Sequence, residues 1–201
     1  MDAMIKRRDM MATSSMVPEW DVVWDGSSGS QPPSPDFTKT TGGTASVSMG
    51  TISAKIIVKG SGSYCKYDYF SNAAVGVIEA ELAIFTSGGY WIVRFGDGTH
   101  EISVSMYYNS TYKGIYLRNA SAQADRTKLK TVALSTRYVI KLVFYGTTGD
   151  VYVDDEIVAQ GVDLDTIPFN SNERSVSANT GSSSNTQLNV YSIKLKLGRT
   201  A

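Results

Sequence analysis

The chain has 201 residues, of which 42% are apolar and 19% charged, and Lys+Arg and Asp+Glu stand at 19 each. That balance excludes a disordered chain and a coiled coil, and it argues against a protein that holds nucleic acid through its phosphates. Cys65 and His100 are each the only residue of their type, which excludes an intrachain disulfide and a His/Cys zinc cluster and gives no indication of oxidative export.

Residues 1–16, MDAMIKRRDMMATSSM, read as a mobile, basic, Met-rich arm. Lys6, Arg7 and Arg8 are not followed by the apolar run of a signal peptide, because Asp9 interrupts it. No stretch approaches the roughly 20 apolar residues that a membrane helix needs. The expectation is a chain made in the cytoplasm, with no membrane span. Residues 18–24 (PEWDVVW) form a short strand, and 25–44 a Gly/Ser/Pro/Thr connection. The body is expected over 45–201. Strand signals follow at 45–49, 51–59, 63–70, 75–85, 90–96, 101–108, 113–118, 128–134, 137–145, 150–158, 174–178 and 187–197. Turn clusters such as Lys59-Gly60-Ser61-Gly62, Ser87-Gly88-Gly89 and Gly146-Thr147-Thr148-Gly149 separate them. Residues 160–168 are read as one helical or 3₁₀ turn stopped by Pro168. No window of helical length shows a 3.6-residue period.

Alternation assigns the faces. Ile78, Ala80, Leu82 and Ile84 oppose Glu79 and Glu81; Trp91, Val93 and Phe95 oppose Tyr90, Ile92 and Arg94; Ile102, Val104 and Met106 oppose Glu101, Ser103, Ser105 and Tyr107. Ile115 and Leu117 oppose Tyr116 and Arg118. Each strand thus buries one side only, as face-packed antiparallel sheets require. The predicted fold class is an all-β, two-sheet antiparallel sandwich.

The segment 137–158, with Val151-Tyr152-Val153-Asp154-Asp155-Glu156-Ile157-Val158 at its end, resembles the "vYvDG.lv" hairpin of concanavalin A-like lectin/glucanase and laminin G-like jelly rolls. Asp155 stands where Gly is usual. Val75-Gly76-Val77-Ile78-Glu79-Ala80 is similar to the Gly-x-x-Glu-Ala strand of that superfamily, and 187–197 to its returning C-terminal strand. The resemblance spans roughly residues 45–198 and implies a jelly roll. It is weakly specific for function, because lectins, hydrolases and structural modules share the fold. Residues 4–11 also resemble the opening of prophage-encoded tail or surface proteins of gut bacteria. That implies assembly into a phage particle, with other tail proteins as partners of the arm.

Glu79 and Glu81 share one strand face about 6.5–7 Å apart, a tolerable spacing for a glycosidase pair. Glucanases of the superfamily, however, carry a Glu-x-Asp-x-Glu run, and in Glu79-Ala80-Glu81-Leu82-Ala83 the middle Asp and the final Glu are both absent. No catalytic residue is therefore assigned. If 77–85, 90–96, 101–108 and 113–118 form a meander, then Glu79, Glu81, Tyr90, Arg94, Ser103, Ser105, Tyr107, Tyr116 and Arg118 lie on one side. Tyr faces suit sugar C–H surfaces, and hydroxyls, Arg and Glu supply directed hydrogen bonds. The expectation is a non-enzymatic module that binds a polysaccharide or cell-surface glycan. The alternatives are a structural or oligomerising domain and, ranked last, a glycoside hydrolase. No cofactor is expected; calcium stays open through Asp97, Asp150, Asp163 and Asp165.

Overall fold

A computed structural model describes residues 20–32, 37–71, 75–96, 100–118, 126–164, 173–181, 183 and 185–198. The arm 1–16, Asp97, Asp165 and Pro168 lie outside the described residues. Among the described residues, thirteen strands and one 3₁₀ turn make up the order β1 (Val22–Asp25), the turn (Gly26–Ser28), β2 (Thr38–Met49), β3 (Ala54–Phe70), β4 (Gly76–Ile84), β5 (Gly89–Gly96), β6 (Glu101–Tyr108), β7 (Lys113–Arg118), β8 (Arg126–Lys130), β9 (Tyr138–Phe144), β10 (Thr148–Val153), β11 (Glu156–Asp163), β12 (Glu173–Thr180) and β13 (Asn185–Leu197). The antiparallel sandwich expected from alternation, and the jelly roll that the resemblance implied, are what the chain forms.

Pairing follows the path β11-β10-β9-β4-β13-β3-β12-β5-β6-β7-β8, with β1 on β13 and β2 on β3. All pairs are antiparallel. β3 makes the path continuous between two layers. Its first half, Ala54–Lys59, pairs with β13, and its second half, Tyr64–Phe70, pairs with β12. Gly60 and Gly62 take φ of 86° and 80° between the halves. The cluster Lys59–Gly62 therefore does not end a strand. It bends one strand from the first layer into the second, which a side chain at positive φ would resist.

The first layer is β11-β10-β9-β4-β13 with the start of β3. The second is the end of β3 with β12-β5-β6-β7-β8. Ile78, Ala80, Leu82, Ile140, Leu142, Leu188 and Leu195 face Val93, Val104, Ile115, Val176 and Ala178 across one core, all fully or nearly fully buried. Phe95 and Phe144 stack across it with ring centroids 4.7 Å apart. Gly149 sets how closely the layers approach there: a Cβ on it would lie 2.7 Å from Ile102 Cδ1 and 2.8 Å from Val143 O. Gly149→Ala is expected to cost about 1–3 kcal/mol of stability through overpacking, read as a lower denaturation midpoint.

Further local expectations change, beginning with the 25–44 connection, inside which β2 already starts at Thr38 and pairs with β3. Residues 150–158 are not one strand: Asp154 and Asp155 take φ of 54° and 64° and close a two-residue hairpin between β10 and β11. β11 runs on to Asp163, where a helical turn was expected. The supposed meander is broken at its first step, because β4 pairs with β9 and β13 and not with β5.

Candidate functional site

The break in the meander divides the predicted site. Glu79 and Glu81 lie on the outer face of the first layer. Glu79 Oε1 accepts from Lys194 Nζ at 2.9 Å and Glu81 Oε1 from Arg137 Nη1 at 3.2 Å. The Arg137 guanidinium also sits 3.9 Å from the centroid of the Tyr191 ring. These are ion pairs of a solvated sheet face, and neither carboxylate approaches Tyr90 or Arg94.

The other predicted residues share the outer face of the second layer, because β5, β6 and β7 are consecutive partners. Register aligns them in rows with two strands that the sequence reading left out. Asp68, Ser175, Arg94 and Ser103 form one row. Lys66, Ser177, Ile92, Ser105, Tyr116 and Lys128 form the next. Tyr64, Asn179, Tyr90 and Tyr107 form a third. An open depression of about 220 Å³ lies here, lined by Tyr64, Lys66, Ile92, Arg94, Ser175, Ser177 and Asn179.

At one end, carboxylates and cations alternate across four strands. Lys66 Nζ on β3 stands 3.0 Å from Asp68 Oδ2 and 3.2 Å from Glu173 Oε1 of β12. Arg94 on β5 reaches Glu173 Oε1 at 3.7 Å and Glu101 Oε1 of β6 at 3.2 Å. The side chain of Glu101 is only 1% exposed.

These environments drive the carboxyl groups apart. Burial raises Glu101 above the usual glutamate range, against the pull of Arg94, the Ser103 hydroxyl and Arg118. Burial also raises Asp68, to about 6, helped by the charge of Glu173 and a hydrogen bond to it. Glu173 goes the other way. Burial alone would raise it, but the charges of Lys66 and Arg94 and the Ser175 hydroxyl more than offset that, and it stays ionised below the usual range. The carboxyl groups of Glu101 and Glu173, on either side of one guanidinium, are thus shifted in opposite directions.

The far end of the same face is aromatic. Tyr90 stacks on Tyr107 at 4.7 Å, and Tyr107, Tyr112 and Tyr116 meet in tilted and edge-on pairs at 5.8–6.1 Å. Asn109 Oδ1 holds the β6–β7 turn by accepting from Thr111 N and Tyr112 N, at 2.9 and 2.6 Å. The Ser105 hydroxyl is buried beside Tyr116 with no hydrogen-bond partner.

Sequence reasoning missed Lys66, Asp68 and Glu173, and it put Glu101 on this face without assigning it a role. The signal for β3 was present in the alternation Tyr64-x-Lys66-x-Asp68. Its neighbour β12 lies more than 100 residues away, so alternation could not bring the two together. Among the described residues no group of three His, Cys, Asp or Glu could hold a metal ion. Asp150, a calcium candidate, accepts instead from Tyr145 Oη at 2.9 Å and Gly161 N at 2.7 Å.

The fold is that of the concanavalin A-like jelly rolls, and among solved structures it resembles carbohydrate-active enzymes. It is similar to a Crh5 transglycosylase in complex with NAG, with a TM-score of 0.67 and 14% identity over 90% of this chain and 85% of that one. It is also similar to a β-1,3-glucanase from Mycobacterium marinum, with a TM-score of 0.58 and 14% identity over 88% of this chain and 98% of that one. A sialidase matches with a TM-score of 0.60 and 14% identity over 81% of this chain, which spans only 17% of the sialidase. No family model and no curated protein matches the sequence.

These neighbours correct the expectation of a non-enzymatic module. The neighbours named are a transglycosylase, a glucanase and a sialidase, not non-enzymatic binding modules. At such identities the likeness itself establishes the fold alone. The structures named here include no phage or tail protein, and they lend the prophage expectation no support.

Proposed function

We propose that this chain is a glycan-active enzyme, a glycosidase or transglycosidase, that lays a polysaccharide along the outer face of the second layer. The observation that carries the proposal is the pair Glu101 and Glu173, one carboxyl raised and one lowered, on either side of Arg94 beside an open depression. Glycoside cleavage needs two carboxyl groups in different protonation states, about 5–9.5 Å apart, at one linkage. Glu101 is read as the general acid that protonates the leaving oxygen. Glu173 is read as the ionised base or nucleophile, with Lys66 and Arg94 keeping it charged and Asp68 behind it.

The strand β6 adds support. Glu101, Ser103 and Ser105 have the alternate spacing of a Glu-x-Asp-x-Glu run on the groove side, with serines in place of the last two acids. The second carboxylate then comes from the neighbouring sheet partners, two strands away.

The pH dependence follows in sign. Activity rises with pH as Glu173 loses its proton, below the usual glutamate range of about 4.5. It falls as Glu101 loses its proton, above that range. The expected pH–rate profile is an acidic bell, and Glu101→Gln removes its basic limb.

The test is incubation of the purified chain with laminarin, mixed-linkage β-glucan, chitin oligosaccharides and alginate, with reducing ends and product masses followed over time. Shortened or lengthened chains from at least one polymer are the expected result. No change in any of them, with the protein folded, would overturn the proposal.

A further inference from the structure

Charge is unevenly distributed along the outer face of the second layer. At the β3–β12–β5 end every cation has an acidic partner: Lys66 has Asp68 and Glu173, and Arg94 has Glu101 and Glu173. At the β7–β8 end, no carboxylate of a described residue lies within ion-pair distance of Arg118 or Lys128, and Arg118 acts on Glu101 only through its field.

Lys128 is placed over the face by the fold. It stands opposite Tyr116 in register. A Cβ added to Gly114 would meet its Cε at 2.9 Å and Tyr116 Cε2 at 3.1 Å. Gly114 therefore leaves the space in which the lysine stem and the tyrosine ring lie side by side. Within the same row, the fully buried Ser105 hydroxyl has no partner. A buried hydroxyl left unsatisfied costs free energy that a bound polar group recovers.

We propose that the β6–β8 end of this face is a subsite for an anionic sugar, a unit bearing a carboxylate or a sulfate ester. Its ring rests against Tyr116, its hydroxyls reach Ser105, and its negative group meets Arg118 and Lys128. The inference rests on the reading of this face as a glycan site, and it deepens that reading by naming the substrate class. A neutral glucan satisfies the hydroxyl and the tyrosine but leaves both cations without counter-charge. An anionic chain supplies it to the half-buried Arg118 and the exposed Lys128, a pairing that salt screens.

Binding of the full chain to alginate, κ-carrageenan and neutral laminarin tests this, with an Arg118→Gln/Lys128→Gln variant and Lys59→Gln as a control in the exposed bend of β3. The expected result is at least about fivefold tighter binding to an anionic polymer, lost in the double variant and in 0.5 M salt but kept in the control. Preference for alginate identifies the group as a carboxylate, and preference for carrageenan as a sulfate. Equal affinity for laminarin, salt-independent binding to the anionic chains, an unaffected double variant or an equal loss in the control each overturns the proposal. Cleavage of laminarin without preference for an anionic chain leaves the enzymatic reading standing while this one falls. Salt-sensitive anionic binding without cleavage of any polymer does the reverse.

Discussion

Glu101→Gln is expected to lower turnover about 10²–10⁴-fold, the range that a positioned general acid contributes. Glutamine matches glutamate in shape and keeps an amide oxygen in place of Glu101 Oε1, 3.2 Å from Arg94 Nε, so the fold and the depression survive. What it removes is the transferable proton. Burial holds that proton on Glu101 into a pH range where an ordinary glutamate has lost it. Glu173→Gln should lower turnover comparably for the opposite reason, since it removes an ionised group. It also strips Lys66 and Arg94 of a shared partner. The two variants separate on substrates with an activated leaving group. Such substrates need less protonation, so they restore much of the activity of Glu101→Gln and little of that of Glu173→Gln. Full activity in Glu101→Gln on an unactivated glycan would remove that residue from the reaction.

Trp91→Ala is expected to destabilise the protein by about 3–5 kcal/mol, the usual cost of emptying a core aromatic site. Trp91 is fully buried on β5, and its Nε1 donates to Ala83 O of β4 at 3.0 Å. β5 and β4 belong to different layers, so this single hydrogen bond ties the sandwich across its core. Alanine leaves a cavity and takes away the donor. For a chain of this length the loss lowers the melting temperature by about 10 °C or more. Trp91→Phe keeps most of the volume and should cost markedly less. Urea midpoints at unchanged slope report both values, and a loss below about 1 kcal/mol for alanine would contradict the assigned role.

The sequence made faces legible, but not neighbours. Alternation put Trp91, Val93, Phe95, Ile102 and Val104 on the core face and Arg94, Ser103 and Tyr107 on the other, and the structure agrees on the faces, but Ser103 and Tyr107 are buried too, so β6 does not bury one side only. The period-2 pattern is local, so it survives any choice of sheet order. The order itself is set by long-range pairing. β4 joins β9 and β13 although β5 follows it directly in the chain, and this moves Glu79 and Glu81 to the opposite surface. Glu173 reaches Lys66 across more than 100 residues, and no spacing rule links them. Gly60 and Gly62 misled for a related reason. Glycines at positive φ usually mark a turn, and here they let β3 leave one layer for the other.

The central claim is that the second layer's outer face carries out chemistry on a glycan. The most direct measurement is mass spectrometry of defined oligosaccharides, neutral and anionic, after incubation with the native chain and with Glu173→Gln at mildly acidic pH. The account predicts shorter or longer chains with the native protein and an unchanged oligosaccharide with the variant. Oligosaccharides left intact by a folded native protein, or altered equally by Glu173→Gln, would contradict it.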